Sequence, residues 1–351
     1  MFQTGLAQRI GLLVVRLFAG SEKKLTLGIM LLTAGMSAFL SNTGTVAVLL
    51  PVCIGIADSQ GWSRAKLLFP MAILSSAGGM CTLIGTPPNL TVNAVLTAYG
   101  YEGLSFFEYA WFGVPATLLA ILYFALFGRR IIPERVHHDA RVSPAHEIVH
   151  STKKQWIAGG ILLLVIMFMA LDCIPLALVA AIGALAAVIF GCIDEKQAYQ
   201  AIDWSTIFLF AGALSLANAM ASTGAGSILA NLCIRALGGN PSPYVLFSVL
   251  FWACGVLTQF MSNTASAALL CPIGLEIASS LGVSPMAVVL ALGFSASAAY
   301  CTPIATPPNT LICGPGSLKF LDFVKVGGPL FLLTYLIALA LIPLRWPFAL
   351  A

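Results

Sequence analysis

The chain consists of long apolar runs separated by short polar breaks. Runs such as 159–171, 176–192 and 326–344 contain no charged residue or almost none and approach the length that a helix needs to cross a bilayer, about 20 residues. Amphipathic helices with charged faces, which a soluble enzyme would need around its core, do not alternate with them. The pattern predicts an all-α, polytopic membrane protein.

Two polar islands interrupt the apolar runs, and each occurs twice. Ser41-Asn42-Thr43 returns as Ser262-Asn263-Thr264, 221 residues later (41 to 262). Thr86-Pro87-Pro88-Asn89 returns as Thr306-Pro307-Pro308-Asn309, 220 residues later (86 to 306). Because the order and the spacing of both islands are kept, we interpret the chain as two repeats.

Each repeat is predicted to hold a re-entrant hairpin with Ser-Asn-Thr at its tip, because the flanking apolar arms are short for a full span. A helix broken by its Pro-Pro pair follows, since proline lacks a backbone donor and clashes with the preceding turn. An ordinary span comes last. The predicted elements are hairpin 25–57, broken helix 67–100 and span 108–128, then hairpin 241–279, broken helix 285–313 and span 326–344.

The predicted domains are a first repeat at 1–128, a loop at 129–155 and a second repeat at 156–351, which begins with three spans within 156–221. Five crossings separate the hairpins, and an odd number predicts an inverted-topology repeat, as in many secondary transporters. The three spans have no counterpart before residue 4. We therefore expect the first repeat to be N-terminally incomplete and the ancestral gene to be longer.

Composition supports a membrane location. The chain of 351 residues is 59 % hydrophobic and 9 % charged, with a mean hydropathy of +0.97, far from globular usage. The loop 129–155 carries six Lys and Arg and is predicted to be cytoplasmic. The expected location is the plasma membrane, in a bacterium the inner membrane. The nine cysteines include no C-x-x-C pair and are expected to be buried apolar side chains.

The islands have the chemistry of a site for an anion and a hard cation. Helix N-termini present free N–H donors and partial positive charge, which suit an anion. Unwound carbonyls, hydroxyls and amides offer oxygen ligands for Na⁺. The islands contain no Asp or Glu, which argues against a carboxylate proton relay. A purely structural alternative is that these residues cap helices and join them; the doubled arrangement favours a substrate site.

The chain resembles the divalent anion–sodium symporters, which carry C4-dicarboxylates, citrate or sulfate. The resemblance covers nearly the whole chain, including both islands, DWSTIFLFAGAL at 203–214 and Trp346-Pro347-Phe348. It implies Na⁺-coupled symport of a small dianion by an elevator motion in a homodimer within the lipid bilayer, without an organic cofactor or nucleic acid. The second proline island favours C4-dicarboxylates over sulfate or another inorganic dianion, which stays the alternative.

The resemblance also implies site residues. The first Na⁺ site would use Ser37, Ser41, Asn42 and Gly85. The second would use Thr258, Asn263 and the backbones of Met261 and Ala305. Substrate would contact Ser41, Asn42, Thr43, Ser262, Asn263 and Thr264, with Thr86, Thr306 and Pro307 lining the site.

A motif of another class lies in the loop. His146-Glu147-Ile148-Val149-His150 matches H-E-x-x-H, in which two histidines bind Zn²⁺ and the glutamate acts as base. It would indicate a membrane metalloprotease, but it leaves both repeats unexplained, and a solvated loop accounts for it. A further alternative is that the chain is an inactive fragment of a carrier.

Overall fold

The computed structural model describes residues 1, 3–18, 20–134, 152–171, 173–236, 238–239 and 241–349. Within them the fold is helical, and β structure is limited to an isolated bridge between Val283 and Ala349. The helices of the first half are α1 (Leu6–Leu17), α2 (Glu22–Ser37), α3 (Asn42–Gln60), α4 (Arg64–Gly79), α5 (Pro87–Ala98), α6 (Ala110–Tyr123) and, after a π-helical turn Phe124–Gly128, α7 (Arg129–Ile131).

The remaining helices follow the loop. They are α8 (Thr152–Leu171), α9 (Leu176–Ile189), α10 (Glu195–Gln200), α11 (Trp204–Thr223), α12 (Ala225–Ala236), α13 (Pro243–Leu257), α14 (Asn263–Ser280), α15 (Pro285–Ser297), α16 (Pro307–Cys313) and α17 (Phe320–Arg345). Helices α2–α3 and α13–α14 form two hairpins, and α4–α5 and α15–α16 form two broken helices. The all-α fold class with these two pairs of elements is confirmed.

Local sequence determines where these helices begin. Pro87 and Pro307 stand at the first position of α5 and α16, where a missing N–H costs nothing and the fixed φ suits the helix. Ser41 and Ser262 cap α3 and α14 with their side chains. The same residue types that interrupt the apolar runs therefore restart the helices.

The first half of each broken helix is the centre of its repeat. Helix α4 packs against both arms of the first hairpin, α2 and α3, and α15 packs against α13 and α14. Almost every residue of α4 and α15 is buried, which agrees with sequences that carry no charge apart from Arg64 and Lys66 at the start of α4. The second half-helices cross over: α5 packs against α14 and α15, while α16 packs against α3 and α4. The two repeats are therefore interlocked through their breaks.

Helices α6 and α17 join the two halves in antiparallel orientation. Trp111 Nε1, at the start of α6, donates to the Leu341 carbonyl near the end of α17 (3.1 Å). Tyr123 Oη, at the end of α6, donates to the Val326 carbonyl near the start of α17 (2.8 Å). Because the start of one helix meets the end of the other, the two spans that close the repeats run in opposite directions.

Four helical segments of the described residues are long and apolar enough to cross a membrane: Asn42–Gln60, Ala110–Ile131, Thr152–Leu171 and Phe320–Arg345. Shorter apolar helices are Leu176–Ile189, Pro243–Leu257 and Pro285–Ser297. Many large apolar side chains on the outer helices are exposed, among them Leu118, Leu163, Leu185 and Leu336. Such a surface suits lipid rather than water.

Ion pairs gather at the open end of the first hairpin. Arg64 makes two bonds to the Asp58 carboxylate (2.6 and 2.8 Å), and Arg129 pairs with Glu22 (2.8 Å). Lys66 contacts the exposed Glu134, and this hydrogen bond lowers the pKa of the Glu134 carboxyl. These charges lie at the helix ends next to the loop that is predicted to be cytoplasmic.

Candidate functional site

The hairpin tips are built alike. Ser41 and Ser262 have extended backbones (φ −62°, ψ 138° and φ −63°, ψ 145°) at the N-cap of the second arm. Ser41 Oγ accepts from Gly44 N (3.1 Å) and Ser262 Oγ accepts from Ala265 N (3.2 Å). Both serines are exposed. Each serine thus caps its helix while the tip stays accessible.

In the first repeat, Asn42 lies between the hairpin and the break. Ser37 Oγ is 2.6 Å from the Asn42 carboxamide. With its nitrogen turned toward the backbone, the amide faces the carbonyl oxygens of Ser75 (3.0 Å) and Gly85 (3.2 Å). Ser37 is fully buried and Asn42 half-buried. The structure therefore brings Ser37, Asn42 and Gly85 into one cluster, with Ser41 beside it at the tip.

In the second repeat, Thr258 and Asn263 take the corresponding places. Thr258 Oγ1 lies 3.0 Å from Asn263 Oδ1 and 2.7 Å from the Ala296 carbonyl. Met261 is half-buried at the tip and Ala305 is buried in the break. Their apolar side chains add no hydrogen bond to this cluster among the described residues, so their predicted role concerns backbone carbonyls only.

The threonines of the islands differ between the repeats. Thr43 is exposed, whereas the equivalent Thr264 is buried. Thr86 and Thr306 are buried N-caps with extended backbones, and within the described residues neither caps its helix through its side chain. Pro307 follows Thr306 and is exposed.

Asn89 and Asn309 each donate hydrogen bonds to two backbone carbonyls of their own break, a role that the sequence did not reveal. Asn89 Nδ2 donates to the carbonyls of Gly79 (3.3 Å) and Thr82 (2.8 Å). Asn309 Nδ2 makes the equivalent bonds to Ala299 and Thr302 (both 2.9 Å). Each amide bonds two carbonyls of its break, one of them at or just after the end of the first half-helix. The signal was present, because both residues end the repeated Thr-Pro-Pro-Asn.

Two further threonines attach the breaks to the hairpin tips. Thr82 Oγ1 donates to the Ala38 carbonyl, and Thr302 Oγ1 donates to the Gln259 carbonyl (2.5 Å). Ala38 and Gln259 are equivalent positions, 221 residues apart. Both threonines belong to the repeated Cys-Thr pair that precedes each proline island. Tip and break therefore form one bonded unit in each repeat.

The first break depends on glycines. A Cβ at Gly85 would lie 2.4 Å from the Gly79 carbonyl oxygen, and one at Gly79 would lie 2.7 Å from the Asn42 carboxamide. Real Cβ atoms do not approach other atoms so closely. The absence of a side chain at these two positions lets the two ends of the break and the Asn42 amide meet.

The clusters around Asn42 and Asn263 consist of hydroxyl, amide and carbonyl groups. Among the residues that the structure describes, no group of three His, Cys, Asp or Glu side chains could hold a metal ion. Neutral oxygen ligands are typical of Na⁺ sites in transporters with interrupted helices. The H-E-x-x-H motif at 146–150 lies outside the described residues.

Interlocked repeats with paired hairpins and broken helices define a class: the protein is a polytopic secondary transporter and not an enzyme. The chain belongs to the citrate transporter family (CitMHS), whose sequence profile matches residues 1–272 and 262–349. This match confirms the predicted membership of the divalent anion–sodium symporters.

Similar proteins agree with this assignment. An uncharacterized transporter of Haemophilus influenzae is 32 % identical, over 85 % of this chain and 67 % of its own length. The sodium-dependent dicarboxylate transporter SdcS of Staphylococcus aureus is 24 % identical, over 93 % of this chain and 70 % of its own. The YdaH transporter structure from Alcanivorax borkumensis has the same fold, with a TM-score of 0.67 at 17 % identity, covering 99 % of this chain and 85 % of that one.

Proposed function

We propose that the protein couples the entry of Na⁺ to the transport of a divalent organic anion of the C4-dicarboxylate class. The observation that carries the proposal is the doubled unit of hairpin tip and break, joined by Thr82 to Ala38 and by Thr302 to Gln259. A site built from two such units offers donors and half-helix N-termini from two sides. A molecule with a carboxylate at each end matches that arrangement.

One Na⁺ would bind in each unit. The first would use Ser37, Asn42 and the Gly85 carbonyl, with Ser41 at its edge. The second would use Thr258, Asn263 and the carbonyls of Met261 and Ala305. Proximity within each cluster supports this assignment: Ser37 and Asn42 are 2.6 Å apart, and Thr258 and Asn263 are 3.0 Å apart. Hydroxyl, amide and carbonyl oxygens are ligands that a hard cation accepts.

Substrate would bind between the two tips. Ser41, Asn42 and Thr43 would contact one carboxylate, and Ser262, Asn263 and Thr264 the other. Thr86, Thr306 and Pro307 would line the site at the half-helix N-termini, where partial positive charge favours an anion. Neither island contains Lys or Arg, so a dianion needs the charge of bound Na⁺. Ordered binding of Na⁺ before substrate follows from this requirement.

Transport would follow an elevator motion, in which hairpins and broken helices move together against a dimeric scaffold. The bonds from tip to break and the crossing of α5 and α16 support movement as one body. The antiparallel contact of α6 and α17 supports the inverted-topology repeat. The loop 129–155 would face the cytoplasm, and the location would be the bacterial inner membrane.

Uptake into proteoliposomes tests the proposal. Labelled succinate should enter in response to an inward Na⁺ gradient, and Asn42→Ala or Asn263→Ala should abolish this uptake. Asn93→Ala is a matched control, because the Asn93 amide bonds to the backbone N–H of Leu104 (2.6 Å), which belongs to neither cluster. Uptake that is independent of Na⁺ and unchanged by Asn42→Ala and by Asn263→Ala would contradict the proposal.

Competition identifies the anion. Unlabelled succinate, citrate and sulfate at equal concentrations should reduce succinate uptake to different extents. Strong competition by sulfate and weak competition by the two carboxylic acids would favour the alternative, an inorganic dianion carrier. Competition by succinate or citrate supports the organic class.

A further inference from the structure

The two breaks differ in how their first half-helix ends. Helix α4 continues to Gly79, but α15 stops at Ser297, two residues before the position equivalent to Gly79. Ala298 leaves the helical region (φ −83°, ψ 50°), whereas the equivalent Gly78 is still helical. The non-helical segment of the second break is therefore longer, 298–306 against 80–86, and it has Ala298-Ala299 and Pro303 where the first break has Gly78-Gly79 and Leu83.

One backbone hydrogen bond of the first break is replaced in the second break by bonds to a side chain. In the first break, Cys81 N donates to the Gly78 carbonyl and closes a turn (3.0 Å). In the second break the equivalent groups do not bond to each other. Cys301 N donates to Gln259 Oε1 (2.8 Å), and Gln259 Nε2 donates to the Ala298 carbonyl (3.3 Å). The carboxamide of Gln259 is thus inserted between the two partners of a backbone turn.

Gln259 is well placed for this insertion. It is buried at the tip of the second hairpin, and its Nε2 also donates to the Gly255 carbonyl (2.9 Å). Its own carbonyl accepts from Thr302. The equivalent residue of the first hairpin is Ala38, which has only the backbone carbonyl to offer Thr82. The second hairpin therefore holds its break through a side chain that the first hairpin lacks.

We infer that Gln259 is a positioning residue that holds the loop of the second break in place and so prepares the second ion site before Na⁺ binds. This inference rests on the proposed function. The loop from Cys301 to Thr306 carries the Ala305 backbone that the second Na⁺ would need. By holding Cys301 N, Gln259 keeps this loop in place before the ion arrives. Without Gln259, Cys301 N and the Ala298 carbonyl lose these partners, and Na⁺ binding must then order the loop.

Two variants separate the hydrogen bonds from the volume of the side chain. Gln259→Met retains the length of the side chain but neither bonds Cys301 N nor donates to a carbonyl. Gln259→Ala reproduces the residue found at position 38. If the hydrogen bonds matter, both variants should behave alike. An effect of Gln259→Ala without an effect of Gln259→Met would overturn the inference, because it would indicate packing alone.

The first readout is independent of transport. Maleimide labelling of the half-buried Cys301, measured residue by residue by mass spectrometry, reports how the break is held, with the half-buried Cys81 as internal reference. Without Na⁺, both variants should raise the Cys301 rate about tenfold while the Cys81 rate stays constant, since the two hydrogen bonds between the Gln259 side chain and the break are lost. Added Na⁺ should restore the wild-type rate. Equal Cys301 rates in variants and wild type would overturn the inference.

The second readout is the Na⁺ dependence of succinate uptake. Both variants should raise the half-saturating Na⁺ concentration about tenfold and leave the maximal rate at saturating Na⁺ nearly unchanged. A lower maximal rate with an unchanged Na⁺ requirement would contradict a role in the ion site. If the wild type shows no Na⁺-coupled uptake, the proposed function fails, and the labelling experiment still decides the role of Gln259.

Discussion

Tyr300 Oη donates to Met80 Sδ at 3.8 Å, so equivalent residues of the two breaks, 220 positions apart, touch each other. Contact between equivalent positions is the mark of a two-fold arrangement. Helices α5 and α16, which follow the two breaks, each pack against the opposite repeat. The two breaks thus meet at one structural centre of the fold.

Gly113 and Gly327 allow α6 and α17 to approach this centre. A Cβ at either position would lie 2.2 Å from a backbone carbonyl oxygen, that of Met80 or of Tyr300. We expect Gly113→Ala and Gly327→Ala each to destabilise the protein by about 1–3 kcal/mol, because backbone has to shift. Thermal unfolding in detergent measures this. Gly328→Ala is the matched control, since a Cβ there meets no described atom within 4 Å; equal melting temperatures for Gly327→Ala and Gly328→Ala would refute the prediction.

We expect Asn89 and Asn309 to contribute mainly to the stability of the fold rather than to ligand binding. Replacing either by Ala removes a donor from two buried backbone carbonyls, although the Thr82 carbonyl still accepts from Gly85 N, and leaving one such carbonyl unpaired costs about 1–3 kcal/mol. We expect a clear fall in melting temperature for both variants. Thr97→Ala serves as the control, because Thr97 is exposed and bonds only within its own helix. A variant with normal stability and lost transport would point instead to direct ligand contact.

Much of the architecture could be predicted from local signals. Proline at the start of α5 and α16, and serine at the caps of α3 and α14, act on adjacent residues, so the hairpins and breaks are visible in the sequence. The crossing of α5 onto α14 was not predicted, because packing between distant helices leaves no local periodic mark. The end of α15 at Ser297 was not predicted either: the carboxamide that bonds to the backbone there comes from Gln259, about 40 positions away, and no local sequence signal reveals that partner.

The site itself was predictable in part. Repetition singled out both Ser-Asn-Thr islands, and the structure places Asn42 beside Ser37 and Asn263 beside Thr258. Their role in binding stays a prediction. Gln259 was not predicted because the first hairpin has Ala38 at the equivalent position, so no repeated residue marks it.

Arg64 and Lys66 should differ in their effect on stability despite their proximity. Arg64 is buried and forms two bonds to Asp58, whereas Lys66 pairs with the exposed Glu134. Arg64→Ala should cost about 1–2 kcal/mol of unfolding free energy, and Lys66→Ala should cost little. Lys66 lowers the pKa of the Glu134 carboxyl. The small contribution of the Lys66–Glu134 pair to stability is therefore present at neutral pH and is lost as the pH falls through the lowered pKa. Melting curves at pH 7 and in acid test both statements.

Thr82→Val and Thr302→Val should weaken Na⁺ binding without unfolding the protein. Valine keeps the shape of threonine but removes the hydroxyl that donates to Ala38 or Gln259, which joins the break to the hairpin tip. The loss of one hydrogen bond, about 1 kcal/mol, corresponds to about a fivefold rise in half-saturating Na⁺. Na⁺-dependent succinate uptake measures it, with Thr97→Val as the control. An unchanged Na⁺ requirement in both variants would mean that tip and break do not act as one unit.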